Sequence, residues 1–254
     1  MQGRTILITG ATAGIGRQAA YECAAAGANV VACGRRRALG ESLMAEIADQ
    51  GGSGIFVQAD ITDEAQIKAV IEQACDRYEH LDFAFNNAGL FQREPPLHEY
   101  SNHAWHEHLA VGLTGTFLCM KHELQVMRRN PNQGCAIINN ASTVALRGSQ
   151  ASGAGYTAVK HGVLGLTRQA AVEYADQNIR INAICPGPTL SEATAPLLDQ
   201  DPVKRAQFLR NLNPTAQLVQ ASDIAKTLIF LCSPAASMIN GQALSLDGGQ
   251  WAQL

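Results

Sequence analysis

A chain of 254 residues, 46% hydrophobic and 16% charged, has the composition of a globular protein with a sizeable core, and one large α/β domain accommodates its length. Its net charge of −3, not gathered into blocks, excludes the basic face of a nucleic-acid binder and points to no anionic membrane surface. No apolar run approaches the ~20 residues that span a bilayer. The stretch MQGRTILITG lacks the form of a signal peptide, and seven scattered cysteines without CxxC spacing read as reduced thiols of a cytoplasmic protein.

In chain order, the predicted strands are TILIT (5–9), NVVAC (29–33), GIFVQA (54–59), DFAFNN (82–87), CAIINNA (135–141), IRINAIC (179–185) and ALSL (243–246). Most are continuously apolar rather than alternating, the pattern of parallel strands covered on both faces. Helices are predicted to begin near Gly14, Arg37, Asp63, Ser101, Ala154 and Ser222. This alternation, uninterrupted by any Pro/Ser-rich linker, predicts a single doubly wound α/β domain over residues 1–254. The segment 188–214 breaks the rhythm and is expected to form a substrate lid.

Immediately after the first strand, TGATAGIG places Gly10, Gly14 and Gly16 between a strand and a helix. Glycines there permit a tight turn and close approach of the backbone to a pyrophosphate, with the positive helix end facing it. The spacing G-x3-G-x-G departs from the commoner G-x-G-x-x-G, so a ligand-free glycine turn stays open on this motif alone. The second strand runs into ACGRRR, where Gly34 stands at a position an acid could take to hold a ribose 2′-hydroxyl. Arg35, Arg36 and Arg37 oppose the dipole of the helix they begin, an arrangement a phosphate would relieve. NADP(H) is therefore favoured over NAD(H).

The segment from HAWHEHLA through VGLTGTF to LCMKHELQVM reads as one long, mostly buried helix, although Gly112 and Gly115 fall in its middle. Each is disfavoured by ~1 kcal/mol relative to Ala. His98, His103, His106 and His108 lie ahead of or within its first turns. No cysteine or carboxylate set completes a metal site around them, so they read as a solvated or subunit-facing helix start. Further on, GYTAVK puts Tyr156 and Lys160 four apart on one helical face, where an ammonium is expected to lower the phenol into a range useful for proton transfer.

With TGATAGIG (9–16), Asp60-Ile61, NNAG (86–89), Ser142 ahead of YTAVK (156–160), and PGP (186–188) in order, nearly the whole chain resembles the short-chain dehydrogenase/reductase family. The resemblance implies a Rossmann-type fold with a seven-stranded, mostly parallel sheet and helices on both faces. It assigns Gly10, Thr12, Gly14, Ile15 and Gly16 to the pyrophosphate and ribose, joined by Arg35 and Arg36 at the 2′-phosphate that the charge pattern calls for. Asp60 and Ile61 would face the adenine, and Asn87, Ala88 and Gly89 would lie under the adenine-side ribose. Lys160 would hold the nicotinamide ribose, and Pro186, Gly187, Thr189 and Ser191 the nicotinamide. The implied reaction is hydride transfer between the nicotinamide and a ketone or secondary alcohol, with Ser142 and Tyr156 on the substrate oxygen and Tyr156 handling the proton.

Two departures stand out. The family places its serine about thirteen residues before the tyrosine, a count that reaches Thr143, whereas alignment of IINNAS favours Ser142, fourteen residues ahead. The glycines 148, 153 and 155 that follow read as a mobile wall of the substrate pocket, and loop 90–101 as its rim. The family's VNLxGxF is here VGLTGTF, so Gly112 replaces an asparagine of the catalytic set. Gly112 is read as a preserved kink with a weakened anchor for a proton relay to Lys160, and Gly112→Asn is expected to leave activity equal or higher, while Gly115 serves close packing. The alternative to an enzyme is a catalytically weak NADP(H)-binding sensor or scaffold. A small-molecule substrate and a homotetramer or homodimer are expected by resemblance; a sugar, steroid, acyl thioester or cyclic diol all remain compatible substrates.

Overall fold

The computed structural model describes residues 1–91, 94–131, 134–150, 152–190 and 201–252. Seven strands among them form one parallel sheet: β1 (Thr5–Thr9), β2 (Asn29–Gly34), β3 (Ser53–Gln58), β4 (Phe83–Asn86), β5 (Cys135–Asn140), β6 (Ile179–Pro186) and β7 (Ala243–Leu246). Their order is β3-β2-β1-β4-β5-β6-β7, so the winding direction reverses between β1 and β4. A crevice opens at such a switch point, outside the carboxyl ends of the strands.

Alternate side chains of each strand enter opposite layers, which is why the strands read as unbroken apolar runs. Ile6 and Ile8 pack with Ala19, Ala20, Leu228 and Leu231, on the layer of α1 (Gly14–Ala25), α2 (Arg37–Asp49) and α8 (Ala221–Cys232). Leu7 turns the other way, toward Ile67, Val70, Met120 and Leu124 of α3 (Glu64–Tyr78) and α5 (Gly115–Met127). Caps mark several starts: Asp63 accepts from the N–H groups of Ala65 and Gln66, and Ser101 from that of Ala104.

The single long helix expected after Ser101 is instead three segments in line: α4 (Asn102–His108), a π-helical turn over Leu109–Thr114, and α5. Gly112 sits in the π turn, where the wider winding brings its backbone against α6 (Ala154–Glu173). A Cβ at Gly112 would collide with Cγ1 of Val159, and one at Gly115 would stand 2.7 Å from Cδ1 of Ile61. Both glycines are therefore close-approach positions. An asparagine at 112, expected to leave activity equal or higher, would enter only if Val159 moves. The Gly112 carbonyl accepts a 2.8 Å hydrogen bond from the Thr116 hydroxyl.

Of the expected lid, Pro202–Leu212 forms α7; residues 191–200, including Ser191, lie outside the described residues. No helix among the described residues is long and apolar enough to cross a membrane.

Candidate active site

A cleft of about 400 Å³ occupies the switch point. Gly10, Thr12 and Ala13 form its floor at the end of β1, Asn87, Ala88 and Gly89 its wall at the end of β4, and Gly34, Arg35, Arg36, Asp60 and Ile61 its outer end. Gly10 and Gly14 have φ of +65° and +52°, a left-handed geometry that favours glycine. A Cβ at Gly16 would strike the Gly10 carbonyl, so α1 packs tightly under the loop. Ile15 does not line the cleft; its side chain packs against the core layer of α1. The first turn of α1 has no capping side chain and no acidic residue. Its N–H groups are thus left for an anion.

At the outer end, Arg36 Nε and Nη2 donate to the Thr12 hydroxyl at 3.1 and 3.0 Å, while the exposed Arg35 lies 4.0 Å from Asp60. A Cβ at Gly34 would already stand 3.0 Å from the Thr12 methyl, so an acid there would be crowded. The wall is tied down by main-chain and amide contacts. Asn87 N and Ala88 N donate to the Thr9 hydroxyl at 3.0 and 3.1 Å, and Asn87 Nδ2 to the Thr9 carbonyl at 3.1 Å. A phosphate cradle, two arginines and a long polar trough fit a dinucleotide.

Next to Gly89 on the cleft wall stands Lys160 Nζ, 3.8 Å from where a Cβ at Gly89 would lie, with Tyr156 on the turn before it and Ser142 beyond β5. The Ser142 hydroxyl lies near enough to that of Tyr156 to favour the phenolate and also accepts from Val144 N at 3.3 Å, whereas Thr143 donates to Gln250 at 3.5 Å. Lys160 Nζ donates to the Asn140 carbonyl at 2.6 Å and lies 5.5 Å from the centroid of the Tyr156 ring. Burial pushes Tyr156 above its ordinary value of 10; the Ser142 hydroxyl opposes this, and Cys185 and Glu94 add to it. The net upward direction corrects the expected lowering by Lys160. The lysine is itself brought down by burial to about 8, and its proton is engaged by a carbonyl. Pro186 closes β6, Gly187 N donates to Leu246 O at 2.9 Å, and the Thr189 hydroxyl to the Gly187 carbonyl at 2.9 Å.

Several buried polar residues of this end carry no motif. Glu94, Asn140 and the buried His108 are among them; Asn140 Nδ2 donates to Asn87 Oδ1 at 2.8 Å and links the β4 and β5 ends. His108 was expected on a solvated or subunit-facing helix start, yet it is 2% exposed. The physical reason is a partner from the preceding loop, Glu94, which sequence spacing does not reveal. Glycines 153 and 155, expected as a mobile wall, instead admit Glu94 and Tyr100 at close approach. A glycine pair framing a helix start, just ahead of Tyr156, was the available signal.

A family model described as enoyl-(acyl carrier protein) reductase matches residues 10–250. The 2,5-dichloro-2,5-cyclohexadiene-1,4-diol dehydrogenase of Sphingobium indicum is 34% identical over 249 residues, 98% of this chain and 97% of its own. The short chain dehydrogenase/reductase astE of Aspergillus oryzae is 32% identical over 98% of this chain and 95% of its own. The chain belongs to the short-chain dehydrogenase/reductase family. A crystal structure of levodione reductase, another family member, superimposes with a TM-score of 0.92 at 32% identity, covering 100% of both chains. Membership makes the protein an NAD(P)-dependent oxidoreductase acting at the alcohol/ketone level.

Proposed function

We propose that the protein interconverts a secondary alcohol and a ketone on a small carbocyclic substrate, using NADP(H) in preference to NAD(H). The observation that carries this reading is the grouping of Tyr156 with Lys160, whose Nζ lies 5.5 Å from the phenol ring centroid, and with the hydroxyl of Ser142. The ring class is supported by the Sphingobium indicum relative, named for a cyclohexadiene diol. Arg35 and Arg36 beside a crowded Gly34 support the 2′-phosphate.

Bound in the cleft, the dinucleotide supplies hydride exchange at the carbinol carbon. The rest is the work of side chains. Ser142 and Tyr156 present two hydroxyls that orient the substrate oxygen. Tyr156, held neutral by burial, donates the proton in reduction and accepts it in oxidation. Lys160, buried on the next turn and anchored to the Asn140 carbonyl, would hold the nicotinamide ribose. Gly10, Thr12, Gly14 and Gly16 hold the pyrophosphate; Asp60, Ile61 and Asn87 to Gly89 hold the adenosine, and Pro186, Gly187, Thr189 and Ser191 the nicotinamide.

Exposed Phe117 and Val172 on α5 and α6 support a homodimer or homotetramer, and seven free cysteines support a cytoplasmic location. The experiment is turnover of a panel of cyclic ketones with NADPH and NADH, followed by cofactor absorbance. Consumption of NADPH by at least one cyclohexanone, faster than NADH, is the expected result. Tight NADPH binding without turnover of any ketone or alcohol would replace this reading with a sensor or scaffold.

A further inference from the structure

We propose that Glu94 is a positioning residue, which clamps the loop leading into α4 onto the first turn of α6 and so sets Tyr156 for proton transfer. The proposal rests on Tyr156 being the proton donor. The Glu94 side chain is 1% exposed. Its Oε2 accepts the Gly155 N–H at 2.9 Å and its Oε1 the Tyr156 N–H at 3.0 Å, across 61 and 62 residues of sequence. These are first-turn donors that a helix cannot satisfy internally. The cap residue of α6 is Gly153, which has no side chain to offer, so the cap is supplied from the other side of the pocket.

The clamp is built in depth. His108 Nε2 lies 3.2 Å from Glu94 Oε1, an ion pair whenever the imidazole is protonated. The Tyr100 hydroxyl is 3.0 Å from His108 Nδ1, and burial together with the nearby Glu94 pushes the phenol up to about 12. A buried carboxyl group thus meets two backbone N–H groups, a phenol and an imidazole, the partners its burial requires. The fit depends on glycine: a Cβ at Gly153 would overlap Glu94, and one at Gly155 would overlap the Tyr100 hydroxyl. From the same loop, Phe91 sets its ring edge-on to that of Tyr156 at 5.3 Å between centroids. The loop expected to rim the pocket and the proton-transferring side chain are therefore held as one unit.

Glu94 also acts on Tyr156 through charge, because a negative group beside the phenol disfavours phenolate. The other groups facing Tyr156 are Ser142, Cys185 and Lys160; those facing Glu94 are His108 and Tyr100, with Glu107 near Tyr100.

The test compares the full-length wild type with Glu94→Ala and Glu94→Gln. Amide hydrogen exchange of peptides covering the start of α6 is expected to accelerate in both variants. NADPH affinity is expected to stay within about twofold, since Glu94 is remote from the phosphate cradle, while kcat falls about tenfold or more in the alanine variant. In the glutamine variant the limb of the pH–rate profile for alcohol oxidation is expected at slightly lower pH, because a negative group that adds to the effect of burial on the phenol is gone. Unchanged exchange in Glu94→Ala overturns the clamp. So does faster exchange with kcat and the pH limb both unmoved. If the wild type turns over no ketone, the functional reading fails while exchange still decides the clamp. Should Glu94→Ala not fold, Glu94→Gln, which keeps one acceptor oxygen, carries the same measurements.

Discussion

The two ends of the cleft are put together by different means. At the adenosine end, residues 10–16, 34–36, 60–61 and 87–89 arrive as short contiguous runs at the ends of parallel strands, and several of their contacts run through the main chain. At the catalytic end the parts come from afar: Lys160 reaches Asn140 across 20 residues, Glu94 reaches Gly155 across 61, and Thr143 reaches Gln250 across 107. Beneath it, Asn86 Nδ2 donates to Glu123 and Asn139 at 3.0 and 3.1 Å, and Asn139 to Thr167 at 2.9 Å. An adenosine site needs glycine where backbone meets phosphate; a proton-transfer site needs side chains held in register by packing. Damage at the first end is expected to change which cofactor binds, and damage at the second to change rate or stability.

The largest effect is expected from Tyr156→Phe. The ring stays against Phe91, but the hydroxyl beside Ser142 is lost. Turnover is expected to fall by about 10²–10⁴, the range of a general acid, with NADPH affinity kept within about twofold. Wild-type turnover in this variant would break the division between the two ends.

Gly112→Asn comes next. The new Cβ meets Val159, which directly precedes Lys160, and overpacking of this kind costs ~1–3 kcal/mol. Thermal unfolding is expected several degrees lower, at about 2–4 °C per kcal/mol for a chain of this size. Combined with Val159→Ala, the loss is expected to be smaller than the sum of the two single losses, the mark of direct contact. Additive losses would separate Gly112 from α6.

These two residues also show where sequence reading stops. The runs TILIT and ALSL are strands over the residues expected of them, because covered parallel strands impose continuous apolarity. The glycine loop was legible because left-handed φ at Gly10 and Gly14 leaves its mark in composition. The π turn at Leu109–Thr114 falls where the resemblance put a kink at Gly112, but the apolar spacing there mimics an α-helix, and only the neighbour Val159 explains why Gly112 is glycine. Glu94 in a proline-rich loop looks like any solvated acid until α6 folds over it. Charge and glycine spacing are local signals, whereas partners 50 or more residues away are not.

At the adenosine end, Arg35→Asp is expected to shift the ratio of NADPH to NADH affinity by about tenfold toward NADH, a change of about 1.4 kcal/mol. Arg35 is exposed and already lies 4.0 Å from Asp60, so its loss disturbs no core contact and the thermal midpoint is expected to hold. An unchanged ratio would detach the arginines from cofactor choice.

The smallest effect, in acid where both side chains are neutral, is expected from Glu123→Gln. Glu123 is fully buried, accepts from Asn86 Nδ2, and burial pushes its carboxyl up to about 8 from an ordinary 4.5. Among the described residues, its Oε1 and the Asn86 Oδ1 have no hydrogen-bond partner. A neutral acid, or the amide of glutamine, carries a donor that a carboxylate lacks. A raised acid contributes stability that is fully present below pH 4.5 and is lost as pH rises through about 8. Lys160, lowered from 10.5 to about 8, has the opposite sense: its contribution is present above pH 10.5 and lost as pH falls through about 8. Above pH 9 the buried thiols Cys33, Cys135, Cys185 and Cys232, each pushed up by burial, add a decline that opposes the lysine's rise, so the contribution of Glu123 is read between pH 4.5 and 8. Glu123→Gln is expected to change stability by only ~1 kcal/mol below pH 4.5, where both side chains are neutral, and to remove the decline from there toward pH 8. Superimposable curves of unfolding temperature against pH for the two proteins would show that Glu123 stays charged inside the fold, and that the polar chain beneath the catalytic end is built differently.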